Sequence, residues 1–161
     1  ARSLRVAVQN KGMSGACHLE AALVDWFVDE CDWDIATIEM GINMRGFTPQ
    51  EFERRADYAM TRFADTGKPV LVTNLFPNCF TPGKTAKPGE WPCVREKAFN
   101  EIVEKLAAEK ARPNLHFVPG HEILDDFTGL SCDLLHPCAY GHALMGANLA
   151  RHIRKRLLDR E

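Results

Sequence analysis

Near the end of the chain, Asp133-Leu134-Leu135-His136-Pro137 places a carboxylate three residues ahead of an imidazole, in a short turn running into a helical pattern. An acid that close can fix the tautomer of its histidine and stabilise the imidazolium, as a general base requires. Taken singly, Asp133 reads as a turn residue and His136 as an ordinary exposed histidine. Two earlier pieces add weight. Asn10-Lys11-Gly12-Met13-Ser14-Gly15 and Gly41-Ile42-Asn43 each follow a predicted strand. Gly15 suits a backbone amide that must approach an oxyanion, because no Cβ stands in the way. Asn43 carries an amide that can donate to developing negative charge. Each also has a plain structural use, the glycines in a strand-to-helix turn and the asparagine as a loop cap.

The elements that would position these residues read as an α/β domain with a parallel sheet, a single domain over residues 1–161, because short apolar runs alternate with helical patterns. Strands are expected at Leu4–Gln9, Asp34–Met40, Val70–Leu75 and Leu115–Val118. Ala16 to Glu30 reads as a helix with Leu19, Leu23, Trp26 and Phe27 on one face. Thr48-Pro49-Gln50-Glu51 combines an N-cap, a proline at the first helical position and a glutamate at N3, which starts a helix running to about Ala64. Further helices are expected over Val94–Lys110 and from Cys138 or Ala139 to Leu158. Between them, Phe76 to Pro92 is a loop with four prolines and two glycines. Loops after the carboxyl ends of parallel strands are where α/β folds place their chemistry. Gly15, Asn43 and the Asp133–His136 turn should therefore meet at one rim of the sheet. His18 and Trp91 are candidate pocket walls, although each serves equally as a plain helix-start or loop-anchoring residue.

The chain of 161 residues, 45% hydrophobic and 26% charged, has the composition of a soluble globular protein able to bury a core. Its net charge of -2 gives no electrostatic reason to expect nucleic acid or an anionic membrane as partner. The basic run Arg151, His152, Arg154, Lys155 and Arg156 suits a helix C-terminus, where cations complement the dipole. No apolar run approaches the ~20 residues of a membrane span. Six cysteines permit bridges such as Cys79–Cys93 or Cys132–Cys138 without requiring them, and leave a cytoplasmic or a secreted setting equally open. Cys132, His136, Cys138 and His142 are acceptable zinc ligands by type, but their spacing is not a familiar structural-zinc pattern. No metal or organic cofactor is expected.

Together the three motifs resemble the later blocks of the SGNH (GDSL-type) hydrolases, over nearly the whole chain from Val6 to the last helix. The resemblance implies a flavodoxin-like, three-layer α/β/α sandwich. By motif, Gly15 looks like the second-block oxyanion glycine and Asn43 like the third-block asparagine. Asp133 and His136 look like the fifth-block acid and base, and this block, with Tyr140-Gly141-His142 behind it, is the most specific part. Met44 stands where the family often has an aspartate. The first block, which carries the nucleophilic serine, has no match. In the family its strand lies between those placed at Leu4 and Asp34, and removing it would leave buried amides unpaired at about 1–3 kcal/mol each. The expectation is therefore that the fold is incomplete at its N-terminus, and that these residues are the C-terminal portion of a longer hydrolase. It would act on a small-molecule ester, acyl or acetylated-sugar, with the nucleophile on a segment outside the chain. Two alternatives stand beside it. Gly12-Met13-Ser14-Gly15-Ala16 resembles a nucleophile elbow with alanine in the last position, which would make Ser14 the nucleophile. The other is a non-catalytic α/β binding module that kept the fold and lost the serine.

Overall fold

The computed structural model describes residues 3–84, 87–110 and 112–158. Its sheet has three parallel strands in the order β1 (Ala36–Glu39), β2 (Val70–Thr73) and β3 (Leu115–Val118). The register runs from Ala36 beside Val70 beside Leu115 to Glu39 beside Thr73 beside Val118. All four residues of β2 are buried, as a central parallel strand covered on both faces requires. The crossovers are α2 (Pro49–Asp65) and α3 (Cys93–Lys110), preceded by α1 (Ala21–Asp29) and followed by α4 (Gly120–Ile123) and α5 (Ala139–Ile153). A single wider turn, Arg154–Leu158, prolongs α5.

The period of two along the strands separates the two cores. Val70 and Val72 face α1, α2 and α3, where Val24, Phe52, Met60, Phe99 and Val103 are buried and the Phe52 and Phe99 rings stack at 3.9 Å. Leu71 and Val118 face the other way, onto Ile123 of α4 and Met145, Leu149 and Ile153 of α5. The result is the helix–sheet–helix layering of an α/β fold. The start of α2 follows its sequence pattern closely: the Thr48 hydroxyl accepts the Glu51 N–H at 3.2 Å, with Pro49 at the first position. Among the described residues no helix is long and apolar enough to cross a membrane.

Two expected elements are corrected. Leu4–Gln9 is not a strand: it lies as turn and irregular chain with Val6 and Val8 exposed. A parallel strand exists only through hydrogen bonds to a neighbour, and no described strand lies beside this segment. The first helix starts at Ala21 rather than Ala16. Leu19 takes a left-handed φ of 51°, which no residue inside an α-helix can adopt. Tertiary ties hold it there: Arg55 donates to the His18 carbonyl at 2.9 Å, and the Cys17 thiol to the Glu39 carbonyl at 3.6 Å.

One close approach seats the C-terminal helix. The first turn of α5 crosses the 127–129 turn glycine on glycine, and a Cβ on Gly141 would overlap the Gly129 carbonyl. Gly146, one and a half turns on, has open space around its Cα. Two glycines of one helix should thus respond oppositely to alanine. Gly141→Ala should destabilise by roughly 1–3 kcal/mol through overpacking. Gly146→Ala should be neutral or stabilising by up to ~1 kcal/mol. Urea denaturation midpoints of the two variants check this, and equal midpoints would contradict the packing described.

Candidate functional site

Residues 130–137 fold back on themselves as a closed hairpin. Leu130 and Pro137 form an antiparallel bridge, Ser131 N–H donates to the His136 carbonyl at 2.7 Å, and Leu134 N–H donates to the Ser131 carbonyl at 2.9 Å. The carboxylate of Asp133 fills the centre. Its Oδ1 accepts from the Ser131 hydroxyl at 2.7 Å and from the Leu135 and His136 N–H groups, both at 2.9 Å. Its Oδ2 faces His136 Nδ1 at 2.7 Å. These bonds, led by that to His136, hold the Asp133 carboxyl well below the usual carboxylate range. An ionised carboxylate can only accept, so the neutral imidazole carries its proton on Nδ1 and leaves Nε2 as a base. The ring is 74% exposed, and no described residue engages Nε2.

Asn43 sits on a single helical turn, Ile42–Met44, directly after β1. Gly41 makes the turn possible with φ 122°, where a Cβ would run into Leu75. Met44 anchors the turn in the core, while the half-buried Asn43 side chain has no hydrogen-bond partner among the described residues. Gly15 lies on an exposed turn at φ 69°, and its N–H is likewise unengaged there. The stretch just after it is fastened to the carboxyl end of β1 by the Cys17–Glu39 bond. The hairpin is fastened to the loop after β2, where Cys79 N–H donates to the Leu134 carbonyl at 2.8 Å. The loops bearing Gly15, Asn43 and His136 are therefore all tied to the carboxyl-end side of the sheet.

The remaining candidates fall differently. His18 is engaged structurally, with its ring 5.5 Å from that of Phe47 and Nδ1 at 3.4 Å from Glu20. Trp91 is exposed at the end of the long loop. Ser14 is exposed on a turn with neither a strand before it nor a helix directly after it, so the strand–turn–helix context of an elbow is not formed. No disulfide links any of the six cysteines. Among the described residues no three His, Cys, Asp or Glu side chains form a metal-holding group, so Cys132, His136, Cys138 and His142 do not make the cluster their types allow.

A model of GDSL-like lipases and acylhydrolases matches residues 1–144. The chain belongs to this GDSL-like lipase/acylhydrolase family. Its fold is that of a solved salicylyl-acyltransferase, SsfX3, from a tetracycline biosynthetic pathway, at 16% identity and a TM-score of 0.68. The match covers 86% of this chain and 42% of that one, so the chain spans less than half the length of its structural neighbour. No curated protein sequence matches it.

Three polar groups of this GDSL-like chain were not singled out from the sequence: Arg45, Glu96 and Glu39. Glu96 had a sequence signal, since it lies on the inward stripe Cys93, Phe99, Val103 and Leu106 of α3, where a carboxylate has no place without partners. Glu39 had none, because alternation with Thr37 on a strand reads as a solvated face. It instead points to the α5 side, bordering a cavity of about 220 Å³ lined by Leu71, Thr73, Phe76, Met145 and Leu149. Its Oε1 has neither solvent nor a hydrogen-bond partner among the described residues.

Burial pushes the Glu39 carboxyl up from 4.5 to about 7. A folded-state value above the unfolded one means that the native state holds this proton more tightly. Its contribution is complete below about pH 4.5, is lost as pH rises through 7, and is constant above that. Relative to Glu39→Gln, wild-type unfolding free energy should fall by about 3 kcal/mol across that window. Chemical denaturation at several pH values checks this, and parallel pH profiles for the two proteins would refute it.

Proposed function

We propose that this chain supplies the acid, base and oxyanion donors of a serine-type carboxylic ester hydrolase, with the nucleophilic serine on a segment outside these 161 residues. The observation that carries the reading is the Asp133–His136 pair: an ionised carboxylate locks Nδ1 and leaves Nε2 bare and exposed. Membership of a lipase/acylhydrolase family supports it.

In this mechanism the serine Oγ attacks the ester carbonyl while His136 Nε2 takes its proton. The negative charge moves to the carbonyl oxygen, where the Gly15 N–H and the Asn43 side-chain amide donate to it. As the tetrahedral intermediate collapses, His136 returns the proton to the leaving alcohol and an acyl-serine remains. Water, deprotonated in turn by Nε2, attacks the acyl-enzyme, and as the acid leaves Nε2 returns the proton to the serine Oγ. Asp133 stays ionised throughout and stabilises the imidazolium. The substrate class is a small-molecule ester, acyl or acetylated-sugar, and the loop from Phe76 to Pro92 shapes the choice. No cofactor enters the scheme.

In the longer protein, His136→Ala should lower kcat for a short acyl ester about 10²–10⁴-fold. Asn43→Ala should lower it about 10²–10³-fold with little change in KM. A fluorophosphonate should label the longer protein stoichiometrically and the 161-residue chain not at all. Labelling of the chain at Ser14 would move the nucleophile there. Binding of esters without turnover by the longer protein would make it a binding module.

A further inference from the structure

The deepest polar group on this side of the sheet is the carboxylate of Glu96, which is 1% exposed and bonded from two directions. Arg45 Nη1 donates to its Oε1 at 3.4 Å, and Asn78 Nδ2 donates to its Oε2 at 3.1 Å. A carboxylate this buried persists only with such partners.

What it joins is informative. On one side, Arg45 also donates through Nε to the carbonyl of Ile42 at 3.2 Å, and so grips the turn that carries Asn43. Its guanidinium lies 4.7 Å from the Phe80 ring, which fixes the plane of the fork. On the other side, Asn78 organises the loop after β2: its Nδ2 donates to the Phe76 carbonyl at 3.1 Å and its Oδ1 accepts the Phe80 N–H at 2.8 Å. The next residue, Cys79, donates its N–H to Leu134, inside the Asp133–His136 hairpin. A continuous path of hydrogen bonds thus runs from the Asn43 turn through Glu96 to the His136 hairpin. The two ends are 93 positions apart in sequence, and no shorter covalent route joins them.

We propose that Glu96 is a positioning residue that sets the placement of Asn43 relative to His136, with Arg45 and Asn78 as its two arms. The role rests on reading Asn43 as an oxyanion donor and His136 as the base. Glutamine at position 96 has one acceptor oxygen and cannot satisfy both arms. Lysine at position 45 keeps the charge but cannot span Ile42 and Glu96 with a fork.

The test uses the full-length protein, isotope-labelled at asparagine and histidine, as wild type, Glu96→Gln and Arg45→Lys. In Glu96→Gln the side-chain amide resonances of Asn43 and the ring resonances of His136 should move together. Its kcat on a short acyl ester, per fluorophosphonate-labelled site, should drop about 10–100-fold while KM stays within about twofold. Arg45→Lys should move the same two sets of resonances by less. Resonances of Asn43 and His136 that stay in place in either folded variant would overturn the proposal. If Glu96→Gln does not fold, Arg45→Lys decides. If wild type turns over no ester, the hydrolase reading falls, while the resonance comparison still decides the positioning role.

Discussion

Everything at this site depends on one carboxylate gathering four donors. Asp133 binds a hydroxyl, two backbone N–H groups and an imidazole N–H within six residues of chain. The pair is exposed, so it adds little to stability, as surface ion pairs generally do. Its effect is orientational. With Oδ1 saturated by the hairpin itself, Oδ2 has a fixed direction, and that direction fixes the imidazole. The imidazole is therefore presented by a self-contained loop that the rest of the protein has only to seat. The glycine-on-glycine crossing at α5 and the Cys79–Leu134 bond do the seating.

Two glutamates, Glu96 and Glu39, show the same physics with different compensation. Glu96 is buried with an arginine and an asparagine amide on its oxygens, which offset part of the upward push of burial and leave its carboxyl above the usual carboxylate range. Glu39 is half-buried, but its Oε1 is shut off from solvent with no hydrogen-bond partner among the described residues, and nothing offsets the push. A satisfied buried carboxylate stiffens its surroundings, whereas an unsatisfied one costs stability as it ionises. The first lies on the path between Asn43 and His136, and the second borders a cavity on the opposite side of β1.

Much of this architecture was legible in the residues. The β-branched, fully buried β2 and the Thr48–Glu51 cap announce themselves because local chemistry and tertiary placement agree there. The start of α1 was hidden because Arg55 and Cys17 hold residues 16–20 out of helical geometry from a distance. The run Leu4–Gln9 has strand composition, but pairing is decided by a neighbour and not by composition. At the site, the spacing of Asp133 and His136 was readable because the contact is local. The Arg45–Glu96–Asn78 relay was not, since each bond joins segments far apart in sequence.

On this geometry the carboxylate of Asp133 sets the tautomer of His136. Long-range proton–nitrogen correlation spectra of the histidine rings, recorded on the neutral imidazole, test it directly. The wild-type ring should carry its proton on Nδ1 with Nε2 bare, and Asp133→Asn should lose that preference. A wild-type ring protonated on Nε2, or a tautomer indifferent to the substitution, would show that Asp133 does not set it.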